Sequence, residues 1–143
     1  MKVITLTQPW ASLMACDAKR WETRSWKTEY RGFLAIHAAK SFPRDCRQMC
    51  NLKVFRNALF KDVTVAPETL PLGAIIAVGI LVDVQPTILV KPDFPESVFG
   101  NYDPNRFVWM FEHIQRIEPI IASGSLGLWN CFDPVLNQLE GRQ

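Results

Sequence analysis

The spacing of apolar residues changes several times along this chain, and each change of period marks a different predicted element. Val3, Ile4 and Leu6 predict a short strand, after which Gln8-Pro9-Trp10 opens a helix with Pro9 suited to its first turn. Trp10, Leu13 and Met14 fall at i, i+3 and i+4, so that helix has one apolar face, and Asp17 is its expected end. From Trp21 to Trp26 a period of two predicts a strand. Its two faces carry Trp21, Thr23 and Ser25 on one side and Glu22, Arg24 and Trp26 on the other. Phe33 to His37 reads as a buried strand. Residues 44–62 carry a helical stripe of Cys46, Met49, Cys50, Lys53 and Val54, closed by Leu59-Phe60. The β-branched run AIIAVGILVDV (74–84) is the clearest strand. Pro86, Pro92, Pro95 and Pro104 predict a loop over 86–105, and FVWMFEHI (107–114) and GLW (127–129) complete the strands. Five or six strands with two or three helices, and no regular βαβ rhythm, predict an α+β chain built on a small barrel.

Composition narrows this picture little. A chain of 143 residues, 48% hydrophobic and 21% charged, has the length and make-up of a single domain over 1–143 with a real core. No uninterrupted apolar stretch of signal-core length precedes Thr5, Thr7 and Gln8, and the run from Ala74 to Val82 is far too short to cross a bilayer. Four cysteines, Cys16, Cys46, Cys50 and Cys131, read as reduced thiols, so the expected compartment is the cytoplasm, or a nucleoid or nucleus. Cys46 and Cys50 stand four apart on a predicted helix. Neither His37 nor His113 completes a zinc set with them, so no metal and no cofactor is expected. A net charge of +2 is too small for strong nonspecific attraction to a polyanion, and any nucleic-acid contact must come from local clustering.

Such clustering occurs in KRWETRSWKTEYRG (19–32), where cations and tryptophans are interleaved. Glu22 and Arg24 on one strand face lie about 7 Å apart, with Lys19 in the preceding turn able to reach over them. One reading makes Lys19 a base or nucleophile, Glu22 a general acid or base, and Arg24 the holder of a phosphate or oxyanion. The other is a salt-bridged surface strand, each pair contributing less than about 1 kcal/mol. Exposed tryptophans beside cations serve as base-stacking platforms, and Trp26, with Trp10, is the candidate here, whereas Trp109 reads as core. Arg31 and Lys40 are candidate phosphate contacts. His37, in HAAK, is either a proton carrier or ligand donor, or a satisfied structural residue.

The ordered segments LTQPWASL (6–13), KRWETR (19–24), SW…YRGFLAIHAAK (25–40), LPLGAIIAVGILVDV (70–84) and FVWMFEHI…EPIIASGSLGLW (107–129) resemble the ASCH (activating signal cointegrator homology) domain, a branch of the PUA-like barrels. The family signature G-x-K-x-x-E-x-R is matched at Lys19, Glu22 and Arg24, while Asp17 stands where the glycine belongs. The resemblance implies a PUA-like barrel with an N-terminal helix and one or two further helices. It also implies a cleft between barrel and helix lined by that motif, with Gln8, Pro9 and Trp10 of LTQPWASL beside it as ligand contacts. It further implies association with RNA, through binding, ribonuclease activity or handling of modified bases. One branch hydrolyses N4-acetylcytidine with the motif lysine as nucleophile and a threonine near it; this chain has Glu22 at that threonine position. The expected function is therefore binding of single-stranded RNA, a nucleotide or a modified nucleoside, with no membrane partner. The alternatives are a hydrolase (ribonuclease or nucleoside amidohydrolase) and a protein-interaction domain in transcription regulation that uses the proline-rich loop.

Overall fold

The computed structural model describes residues 1–60 and 66–141. Its six strands are β1 (Lys2–Leu6), β2 (Trp21–Arg24), β3 (Gly32–Ala38), β4 (Ala74–Pro86), β5 (Phe107–Ile121) and β6 (Leu128–Asn130). They form one sheet in the order β2-β5-β4-β3-β1-β6, with β1 and β3 parallel and every other pair antiparallel. Four α-helices accompany it: α1 (Trp10–Ala15), α2 (Arg44–Met49), α3 (Lys53–Leu59) and α4 (Pro134–Glu140). The sheet curls into a half-barrel. The tip of β2 comes back to β1 across three intervening strands, where Arg24 Nη1 donates to the Thr5 carbonyl at 3.4 Å.

Alternation along the central strands sends side chains to two separate cores. Ile4, Leu6, Leu34 and Ile36 point into the curl with Ala74, Ile76, Trp109 and Phe111, and α1 closes this face with Ala11 and Met14. Val3, Ala35, Ile75 and Val78 point the other way and pack under Leu136 of α4. Trp109 is fully buried, meets the Trp26 ring edge-on at 4.7 Å, and donates its indole N–H to the Trp26 carbonyl at 3.2 Å. Trp26 therefore follows the end of β2 as a brace against the core rather than continuing the strand.

Three departures from the sequence reading have clear physical causes. The helix expected over 44–62 is two helices, broken where Leu52 adopts an extended backbone (φ −67°, ψ 137°); the end of that prediction, at Lys61 and Asp62, lies outside the described residues. The break turns Phe55 onto Phe99 (5.0 Å between ring centres) and Leu13, while Cys46 on α2 and Cys50 at its C-cap stay buried. Burial pushes the Cys46 thiol up and that of Cys50 up to about 11, as suits structural cysteines. Secondly, β5 continues seven residues past the expected Ile114, carried by register shifts against β4. One accompanies His113, whose φ of 53° is left-handed. Thirdly, α4 was not foreseen, although Asp133 caps it by accepting from the Val135 amide at 2.8 Å and Pro134 fills its first turn.

Truncating Trp109 to Ala empties the meeting point of curl and brace. We expect a loss of about 3–5 kcal/mol, read as a shifted urea midpoint, and a midpoint left in place would show that Trp26 does not depend on this contact.

Candidate functional site

The turn leaving α1 sets the site. Asp17 sits at φ 62°, the left-handed conformation that glycine adopts freely and Asp tolerates. Its carboxylate receives a paired contact from Arg20, Nε at 3.1 Å and Nη2 at 3.0 Å, on the exposed side of the turn. The chain thereby reverses, and Lys19 points inward.

Lys19 is completely buried. Its ammonium donates to the Trp21 carbonyl and lies 3.2 Å from Glu22 Oε1, while Glu22 Oε2 stands 3.5 Å from Arg24 Nη1. One carboxylate is thus shared by two cations, enclosed on the Lys19 side and open on the Arg24 side, where the arginine side chain is 24% exposed. The Arg24 guanidinium also lies over the Trp26 ring at 5.8 Å. Glu22 and Arg24 share a face, and the register pairs them with Trp109 and Phe107 of β5.

β2 is an edge strand, and side chains cover its outward backbone. Lys19 takes the Trp21 carbonyl, Glu96 accepts from the amides of Arg20 and Trp21 at 3.0 and 3.2 Å, and Arg106 Nη2 donates to the Thr23 carbonyl at 3.2 Å. The Asn101 amide donates to Thr23 Oγ1 at 3.0 Å. The second half of the proline-rich loop is therefore fastened along β2 and forms a wall. Between this wall, β2 and the entry to α1 lies a cleft of about 400 Å³. Glu22, Thr23 and Arg24 form its floor, and Trp10, Met49, Phe99, Asn101 and Arg106 line it around them. Just behind Gly100, Tyr102 has the one buried side-chain polar atom without a partner among the described residues. Burial, with Glu96 and Glu22 nearby, pushes its phenol strongly up, so it is a neutral donor at any ordinary pH.

Of the residues singled out from sequence, Glu22, Arg24 and Trp10 come together in this cleft, with Lys19 sealed beneath its floor. The others lie elsewhere. Gln8 is buried and holds α1, accepting from the Ser12 amide at 2.9 Å and donating to Ser12 Oγ at 2.7 Å and the Pro71 carbonyl at 2.9 Å. Pro9, also buried, precedes the first turn of that helix. His37 is enclosed between Thr5 Oγ1 (3.1 Å) and the Ala122 carbonyl (2.7 Å), with Trp129 edge-on; both ring nitrogens are occupied. Arg31 is folded onto the Thr28 and Tyr30 carbonyls, and exposed Lys40 sits at the end of β3. Trp26 lends its ring to Trp109 and Arg24. Sequence reasoning missed Thr23, Met49, Phe99, Asn101, Tyr102 and Arg106. Arg106 carried one faint signal, a cation just ahead of a strong strand. The others carried none, because their proximity depends on where the loop returns. Among the described residues no group of His, Cys, Asp or Glu is placed to hold a metal ion.

The ASCH domain family profile matches residues 4–120. Activating signal cointegrator 1 from Homo sapiens is 33% identical over 107 residues, which is 73% of this chain and 18% of that protein. The Mus musculus protein of the same name is 33% identical over 115 residues, 80% of this chain and 19% of its own length. The matched region thus spans about a fifth of these relatives.

Removing Glu22 strands the buried ammonium of Lys19, whereas removing Lys19 leaves Glu22 with Arg24. Glu22→Gln should therefore cost about 3–5 kcal/mol of stability, more than Lys19→Met, and the double variant should regain much of the loss. Denaturant titration of the four proteins closes this cycle; strictly additive losses would show that the pair is not coupled.

Proposed function

The chain belongs to the ASCH domain family, and we propose that its cleft binds single-stranded RNA or a nucleotide. The observation that carries this reading is the division of labour in the motif. Glu22 and Arg24 reach the cleft, while Lys19 is sealed below and spends its ammonium on Glu22 and the Trp21 carbonyl. A lysine so held supports a floor; it does not present a lone pair to an incoming carbonyl or phosphorus. The groups that do reach the cleft are those of recognition. Arg24 and Arg106 offer guanidinium donors to a phosphate. Trp10 is half-buried and presents a ring for a base to stack on. Glu22 accepts from an exocyclic amino group. The volume suits one nucleotide-sized unit. Membership of the family supports a general RNA- or nucleotide-related role for the site.

Trp10→Ala and Arg24→Gln should each weaken binding of a short labelled single-stranded RNA by roughly tenfold or more, since stacking contributes about 1–3 kcal/mol per base. Lys19→Ala, assayed beside wild type for both binding and product, decides the mechanism. Product from wild type and none from the variant would make the protein a hydrolase and overturn the binding reading. Binding without product from either unmodified or acetylated cytidine supports it.

A further inference from the structure

We propose that β6 is the contact of a two-fold dimer, in which the β6 strands of two copies of this chain pair antiparallel about Trp129 and join two sheets edge to edge. It does not depend on what the cleft binds. The sheet has two edges, β2 and β6, and the chain treats them differently. Lys19, Glu96 and Arg106 cover the outward backbone of β2. β6 receives no such cover. The Met1 ammonium donates to the Cys131 carbonyl at 2.8 Å and the Cys131 amide donates back at 3.0 Å, which fixes the phase of the β1–β6 ladder. Val3 and Trp129 are then the next bonded pair, and Leu128 and Asn130 turn their N–H and C=O groups away from β1. No described residue hydrogen-bonds to those groups. Sheet edges are commonly defended by charge or proline, yet Ser123 to Phe132 contains neither.

What this edge fits is itself. With Trp129 on the two-fold axis, Leu128 stands opposite Asn130 of the second copy. The N–H and C=O groups of that pair bond to each other, symmetry repeats the pair, and no group on either edge stays open. Moving the axis to Leu128 or Asn130 leaves the other of the two without a partner inside the strand. The same register sets Leu126, which is 99% exposed, across from Phe132 of the second copy, which is 77% exposed. Two apolar side chains left bare in one copy thus cover each other on both sides of the axis. The flanking chain leaves room for this. Before β6, Gly124 lies on Thr5 and His37, so closely that a Cβ there would come within 2.8 Å of the imidazole. After β6, Leu136 of α4 packs on Val3, Ala35, Ile75 and Val78. Both flanks fold back over the chain's own strands rather than across the edge. A strand from an unrelated protein has use for the same backbone groups, but a second copy also brings Leu126 and Phe132 into opposition. The contact is short, so assembly is reversible and depends on concentration.

The test follows the full chain by sedimentation velocity from about 1 μM to about 1 mM, the range in which a weak contact of this kind assembles. Wild type should pass from monomer to dimer and stop there, since a two-fold contact closes on itself. Asn130→Pro removes an amide that points away from β1, so circular dichroism should keep the wild-type fold. Its dimer dissociation constant should rise roughly tenfold or more, because symmetry removes the bond twice. Leu126→Lys and Phe132→Glu, both at exposed positions, should each weaken self-association in the same way. Mixed together, these two variants should form a heterodimer. The new ammonium and carboxylate then face each other on one side of the axis, while Phe132 faces Leu126 on the other. Wild type that stays monomeric throughout would overturn the proposal and leave the edge to a strand of another protein. Growth beyond a dimer would overturn it too, as would a dimer that Asn130→Pro and Leu126→Lys both leave intact. Two single variants that stay monomeric when mixed would overturn the pairing about Trp129. Should Asn130→Pro not fold, the side-chain pair carries the same test.

Discussion

An edge strand with open hydrogen-bonding groups is a hazard to any sheet, and the architecture here turns on how β2 is closed. The closing groups are charged side chains drawn from three places in the chain. Lys19 comes from the turn before the strand, Glu96 from the proline-rich loop, and Arg106 from the position just before β5. Burying Lys19 is tolerable because Glu22 neutralises it, and Glu22 in turn holds Arg24 in the floor of the cleft. One carboxylate thereby links closure of the sheet edge to the charge of the site, while Glu96, Asn101 and Arg106 place the loop. Strand and site are a single electrostatic unit.

Much of the fold was legible because periodicity survives where strands are regular. The short first strand, the helix after Pro9 and the long run from Ala74 announced themselves through period and β-branching. β5 was read short for an instructive reason. Ile114, Ile117 and Ile120 recur every three residues, which suits neither a flat strand nor a helix. Bulges add residues between inward positions, so a period of three becomes compatible with one strand whose inner residues serve first the curl and then the face under α4. The single helix expected from residue 44 failed for a related reason. Its stripe was real, but Phe55 is buried only after the chain turns at Leu52, and helical spacing does not record the turn.

The site was half legible. Lys19, Glu22 and Arg24 were marked by charge at strand spacing, but which of them faces solvent depends on the reversal at Asp17 and on the loop laid along β2. His37 and Gln8 drew attention for their chemistry, and the structure places both in closed hydrogen-bond sets that brace β1, β3 and α1. The tryptophans are divided between packing and presentation. Trp109 and Trp26 support each other inside, and Trp10 keeps a face toward the cleft. The missing wall, Phe99 to Arg106, follows a segment whose prolines mark it only as irregular.

Glu96 has a consequence of its own. Its carboxylate grips two successive amides of the β2 entry, and only two residues separate it from Phe99 in the cleft wall. Thr87 ties the start of the loop to that wall by donating to the Asp103 and Arg106 carbonyls, but the segment from residue 88 to 95 lines no part of the cleft and serves it chiefly by delivering that carboxylate. Related chains can lengthen, shorten or rewrite it without disturbing the floor. They can also change Val98, which is exposed in the cleft lining, whereas Phe99 is core and Gly100 is packed against Thr23 and Tyr102. The fold thus separates the part that makes the pocket possible from the part that can decide what it prefers, and the boundary between them is a single glutamate.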